Sequence, residues 1–290
     1  MLYLLLCIIS STLIFIVFKL LKRLNVSTLN AIVVNYFTAS ALGLILSSGD
    51  GGFNPVDTGW FHISLISGFL FVFMFFIIGY ASRVAGITLT SLTTKLSVVI
   101  PVLYSIIAFG EEVTTVKVAG MILAISAIIL IVYPPSRSGD RPVTGSVNLW
   151  LPAILFFGAG FIDSLIKYSQ EVHVPGDEVI AFATTTFMAA GVTSIFVRLV
   201  WRKGSEQNRW YSILIGGMAL GIVNFGSLIF LIKALESRSM ASSVVFGINN
   251  IGVVTLSVLS GSLIFGEKTS LINKVGIAVA IIAIYILFNS

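Results

Sequence analysis

The sequence predicts an all-α fold, a polytopic membrane bundle of about ten transmembrane helices, and three observations predict it. Only 10% of the 290 residues are charged, while 57% are hydrophobic, against about 25% charged in an ordinary soluble domain. Mean hydropathy is +1.06. The hydrophobic residues also gather into runs of the roughly 20 residues a helix needs to cross hydrocarbon. A water-soluble fold of this size could not cover its surface with so few charges, so the bilayer is the natural solvent.

The runs fall at about 1–18, 29–48, 60–81, 85–109, 114–133, 148–168, 179–199, 210–233, 240–265 and 270–288. The first lacks a basic leading region and runs up to Lys19, so it reads as a retained helix rather than a signal peptide. Glycine, proline and charge mark the main breaks: GDGGFNPVDTG at 49–59, YPPSRSGDRP at 133–142 and WRKGSEQNRW at 201–210. Trp60, Trp150, Trp201 and Trp210 all stand at run ends, where interfacial belts prefer indole. The lone cysteine, Cys7, lies inside an apolar run and has no second cysteine for a disulfide or a metal site.

The net charge of +5 carries no basic stripe or nucleic-acid motif and reads as a topology signal. Alternate loops collect twelve Lys and Arg on one side against Lys117, Lys167, Lys233 and Arg238 on the other, with Lys95 inside a run. The positive-inside rule puts the richer side in the cytoplasm and both termini outside.

The chain also repeats itself. IIAFGEEVTTVKVAGMILAISAII at 106–129 matches SLIFGEKTSLINKVGIAVAIIAIY at 262–285, an offset of 156. Gly110, Glu111 and Gly120 recur as Gly266, Glu267 and Gly276. Each half then holds five spans, 1–135 and 143–290, joined by a linker at 134–142. An odd number of spans per copy forces the halves into opposite orientations, the inverted-repeat construction of many secondary transporters.

Two five-helix copies, with GE after the fourth helix and glycine nine residues after the glutamate, resemble the drug/metabolite transporter superfamily. More narrowly, they are similar to its ten-helix EamA-type branch. The resemblance in span count and repeat covers the whole chain; the sharp motifs cover the last third of each half. It implies a monomeric or homodimeric bundle around a central cavity in the plasma or inner membrane, moving small metabolites such as amino acids, nucleobases or sugars. Family members usually keep both termini in the cytoplasm, opposite to the charge count here, and the first helix lacks the family's WG start.

Residues that carry transport are sought where polarity is expensive. A charge in the hydrocarbon costs several kcal/mol unless it is paired or faces a wet cavity. Lys95, near the middle of the fourth run, shares a helical face with Thr88 and Ser91. This stripe is expected to meet an anionic substrate group, the bland alternative being a buried lysine held by a carboxylate or by helix carbonyls. The repeat places Asn249 and Asn250 at the equivalent position of the ninth run, as substrate contacts or as interhelical glue. Asp163 is a candidate proton or ion-pair site, with Lys95 or with Lys167 four residues on. Asn35 and Tyr36 interrupt the second run as further substrate candidates. Gly217 and Gly221 form GxxxG, which reads as close helix packing. Phe69, Phe73, Phe76 and Tyr80 stripe the third run, facing lipid or core. Gly110, Glu111, Gly120, Gly266, Glu267 and Gly276 are expected to be structural, each glutamate pinning its loop to the N–H groups of a neighbouring helix.

These expectations point to a secondary transporter moving a small polar metabolite, an amino acid or organic anion, by alternating access. No GxxxxGK[ST] phosphate loop occurs, so a gradient or exchange is expected to supply the energy. An intramembrane enzyme is the first alternative, but no HExxH or mid-run histidine stands in the sequence. A non-transporting structural protein is the second. No cofactor, no metal and no enzymatic activity are expected. The expected partners are the solute and the lipid.

Overall fold

The computed structural model describes residues 1–47, 55–84, 93–132, 150–200, 210–237, 239–266 and 270–289. The helices are α1 (Leu2–Arg23), α2 (Thr28–Ser47), α3 (Phe61–Val84), α4 (Val99–Phe109), α5 (Thr115–Val132), α6 (Trp150–Val172), α7 (Val179–Val200), α8 (Trp210–Glu236), α9 (Ser242–Phe265) and α10 (Leu271–Phe288), with a 3-10 turn at Gly176–Glu178 before α7. No strand occurs among the described residues.

Eight of these helices are long and apolar enough to cross a membrane. The fourth and fifth runs give shorter apolar helices, Thr93–Phe109 and Thr115–Leu130. Outward-facing side chains are apolar. Ile107 of α4 is 81% exposed and Leu263 of α9 is 84% exposed, positions that suit lipid and would make adhesive patches in water. The phenylalanine stripe of α3 faces outward as well, with Phe69 and Phe73 stacked at 6.5 Å and both about half exposed.

The helices pack as two units, residues Met1–Phe76 with Leu165–Ser237, and Ile77–Ser164 with Arg238–Ser290. Each unit takes helices from both halves of the sequence. The covalent chain sets the order of helices, whereas packing partners are set by where small residues let backbones approach.

In the first unit α1 and α2 both pack on α8, and α2 also packs on α7. Glycine makes each approach. A Cβ at Gly217 would lie 2.5 Å from the Val34 Cβ, and one at Gly221 would lie 2.6 Å from the Asn35 carbonyl oxygen, so the GxxxG of α8 seats directly on α2. At Gly43 of α2 a Cβ would strike Thr184 of α7, and at Gly68 of α3 it would strike the backbone of Thr186. Trp60, expected at an interface, is instead buried at 1% exposure, donating to Glu178 and standing edge-on to Phe182. Trp150 and Trp210 are well exposed.

In the second unit α10 packs on α5, and α9 packs on α4, α5 and α10. The buried face of α10 reads Asn273, Gly276, Ala280, Ala283, Leu287, and that of α5 reads Lys117, Gly120, Ala124, Ala127 with Ile128. Gly120, Ala124 and Ala127 of that face recur as Gly276, Ala280 and Ala283 at the offset of 156. The two helices run antiparallel: the Gly120 Cβ position lies 2.7 Å from Leu287, while Asn273 Nδ2 donates to the Leu130 carbonyl at 3.3 Å. Both helices begin on a hydroxyl cap. Thr114 Oγ1 accepts from Lys117 N at 3.1 Å, and Ser270 forms a reciprocal capping box with Asn273. Gly110 and Gly266 end α4 and α9 at φ of 63° and 66°, the left-handed C-cap that glycine adopts without a Cβ penalty.

If glycine contacts hold the first unit together, Gly221→Ala should destabilise it by about 1–3 kcal/mol through overpacking. Gly191→Ala, whose nearest neighbour would be 3.7 Å away, should be neutral or stabilising, as helix propensity alone predicts. Detergent melting curves of the two variants against the parent check this.

Candidate functional site

The polar centre of the second unit starts from a proline. Pro101 has no N–H, so the Ser97 carbonyl loses its donor four residues on, and the ring crowds that same carbonyl. The chain answers with a tighter turn. Ile100 N donates to Ser97 O at 2.9 Å, Val98 N to Lys95 O at 3.3 Å, and Ser97 Oγ to Thr94 O at 2.6 Å. Helix runs through residues 93–96, breaks at Ser97–Val98 and resumes as α4. Lys95 therefore stands at the end of a short helical piece beside a break, where backbone carbonyls turn out of the helical ladder.

Helix α6 brings the opposite charge. Gly160 packs against Ile100, with its Cβ position 2.5 Å from the Ile100 Cδ1. One turn further along α6 comes Asp163, half-buried, its carboxylate acting on the half-buried Lys95 ammonium. Lys167, four residues on, has its ammonium 2.7 Å from Glu171 and 3.4 Å from Gln170. Asn249 and Asn250 are buried on α9 at 8% and 3% exposure. α9 packs on α4, so one unit holds a cation, an anion and two amides on helices that are otherwise apolar. Thr88 and Ser91, placed with Lys95 by helical spacing, lie outside the described residues, as do Glu267 and the linker at 134–142.

Asn35 and Tyr36 belong to the first unit. Asn35 Oδ1 accepts from Asn224 Nδ2 at 3.2 Å, joining α2 to α8. Tyr36 is fully buried against Phe75 and Phe187, with ring centroids 5.8 and 6.2 Å away.

Glu111 follows the left-handed Gly110 and reaches the start of α9. Its Oε1 accepts from Ser242 N at 2.8 Å, and its Oε2 from Ser243 N at 3.2 Å and Ser243 Oγ at 2.5 Å. The Lys117 ammonium stands 3.6 Å away and also donates to the Glu112 carbonyl at 2.8 Å. Burial by itself pushes the Glu111 carboxyl up. The hydrogen bonds from Ser243 and Ser242 and the Lys117 charge outweigh it and hold the group below its ordinary value of 4.5. Orphan N–H groups at a helix start favour a carboxylate in this way. Ser242 and Ser243 escape a reading of the sequence, because they look like a hydroxyl cap for their own helix and only the fold brings Glu111 to them.

No family model matches the chain. An uncharacterized protein of Haemophilus influenzae (strain ATCC 51907 / DSM 11121 / KW20 / Rd) is 30% identical over 297 aligned positions, covering 97% of this chain and 95% of that protein. The chain belongs to the family of that protein. A protein known from a crystal structure shares the fold, with a TM-score of 0.66 at 16% identity, over 98% of this chain and 97% of that one.

Two measurements test the polar arrangement. Lys95→Ala, Asp163→Asn and the double variant should show a coupling energy of about 0.5–3 kcal/mol in a melting-temperature cycle; strict additivity would mean that the two charges do not interact. Glu111→Gln should lower stability by about 1–3 kcal/mol at neutral pH. Because the folded carboxyl lies below its unfolded value, that contribution is complete above about pH 4.5 and fades as pH falls through the lowered folded value. The gap between parent and variant should close on acidification and stay constant on alkalinisation.

Proposed function

We propose that this chain, a member of the family of the Haemophilus influenzae protein, is a secondary transporter for a small polar metabolite, an amino acid or organic anion. The observation that carries the reading is the opposed pair Lys95 and Asp163 beside a broken helix, on two apolar helices of which α6 is long enough to cross a membrane. Ionisable groups at such depth are expensive and concentrate on solute and ion pathways. Broken helices are the usual place for binding in secondary transporters, since they expose backbone groups to a solute.

In this reading Lys95 receives the anionic group of the solute, and Asn249 and Asn250 supply neutral donors and acceptors. Asp163 is the resting counter-ion of Lys95 or the carrier of a coupled proton. Solute arriving at Lys95 competes with Asp163, so binding and release of the internal pair are linked. The shorter helices α4 and α5 complete a set of ten spans, arranged as two inverted five-helix repeats of the EamA type. The antiparallel contact of α5 with α10, the two helices within the segment that recurs in both halves, supports that arrangement. The protein acts in the plasma or inner membrane, as a monomer or homodimer, without cofactor and without chemical conversion of the solute.

Melting temperatures of the purified parent and of Lys95→Ala are compared against amino acids, organic acids, nucleosides and amines. A solute at about 100 times its Kd stabilises the folded protein by roughly 2.7 kcal/mol. An acidic or zwitterionic solute should shift the parent and leave Lys95→Ala unmoved, and flux of that solute into proteoliposomes should fall in the same variant. A variant that responds and transports like the parent removes Lys95 from the pathway and the reading with it.

A further inference from the structure

Buried and half-buried hydroxyls in the first unit mostly follow one rule. Thr38, Ser40, Thr184, Thr185 and Thr186 each donate to the carbonyl one turn back, at 2.6 to 2.9 Å. Three polar atoms of the same unit depart from it. The Tyr36 hydroxyl, Asn35 Nδ2 and Ser67 Oγ find no hydrogen-bond partner among the described residues. Asn35 and Tyr36 are at 0% exposure and Ser67 is at 2%. Each such group forfeits the bond it would make with water, and a helix in lipid has little else to offer it.

The three atoms are not scattered. Asn35 and Tyr36 are consecutive on α2, and Asn35 spends its oxygen on Asn224 of α8. Tyr36 meets Phe75 of α3 and Phe187 of α7, and Phe187 in turn meets Phe71 of α3 at 6.2 Å and Phe225 of α8 at 6.0 Å. Ser67 precedes the Gly68 that lets α3 touch α7, and lies one turn before Phe71. Tyr36 and Asn35 thus stand where four helices meet around aromatic rings, with Ser67 one turn from Phe71 along α3, and none of the residues named there carries a formal charge. Leftover O–H and N–H groups call for acceptor atoms, and the surrounding rings favour a planar apolar body.

We propose that α2, α3, α7 and α8 enclose a binding site, shut in this structure, for an uncharged planar solute that presents a carbonyl acceptor to Tyr36 and Asn35. With Asn35 and Tyr36 at zero exposure, entry requires these helices to part. Pairing of the orphan donors is the gain that offsets the parting. Binding at this site uses none of Lys95, Asp163, Asn249 or Asn250, so the proposal stands whether or not the chain transports.

The test uses the full chain in detergent with benzamide as the probe, and benzoate and benzylamine as charged controls. Benzamide should raise the melting temperature of the parent and of Lys95→Ala alike, and the charged analogues should not. Tyr36→Phe should melt no lower than the parent, since it removes a hydroxyl that has no partner, yet bind benzamide roughly 10-fold more weakly. Opening has its own readout. With Cys7→Ser removing the native thiol, Ser67→Cys should react with a small thiol reagent under native conditions, and benzamide should slow the reaction. A parent that ignores benzamide up to its solubility limit, an equal response to benzoate, or unchanged affinity in Tyr36→Phe would each overturn the proposal. A Ser67→Cys thiol that stays unreactive in the folded protein would overturn it too.

Discussion

Hydrocarbon supplies no hydrogen bonds, and it supplies no hydrophobic force to press one greasy helix against another. Everything else in this chain follows from that constraint. Backbone polarity is closed within each helix, and association rests on how near two backbones can come. Gly217 and Gly221 bring α8 onto α2, Gly43 brings α2 onto α7, and Gly120 brings α5 onto α10. Where a Cβ at each of these positions would fall is already occupied. Apolar side chains such as Ile107 and Leu263 meanwhile also cover the outside, as a lipid solvent allows.

The same constraint decides where polar groups can stand. Those near helix ends are paired, as with Glu111 on the first N–H groups of α9 and Asn273 in its capping box. Those within helices need a reason. Lys95 has one in the break caused by Pro101 and in the nearby charge of Asp163. Asn35 shares its oxygen with Asn224 and keeps an unused nitrogen. Pairing at the ends holds the fold, and cost in the middle is where function is to be sought.

The two packing units also bear on the transport reading. Each draws on both halves of the chain. The segments that match at the offset of 156 include α5 and α10, which pack on each other, and matching left-handed glycines end α4 and α9. A duplicated segment whose copies pack antiparallel would arise from an odd number of spans per copy. Such a contact is what the proposed inverted architecture would give.

The sequence by itself determined the class of fold, because scarce charge and long apolar runs leave only the bilayer as solvent. It also located most of the helix positions and the glycine contact of α8, since each depends on residues close together in the chain. It misjudged Trp60, whose burial depends on Glu178 and Phe182 from a distant part of the chain. Only the tertiary structure decided which polar residues meet. Asp163 lies near Lys95 because Gly160 lets α6 settle on α4, Glu111 finds Ser242 and Ser243 across 131 and 132 residues, and Asn35 finds Asn224 across 189. A local pattern records what one helix can bury; which partner covers it is a property of packing between helices far apart in the chain.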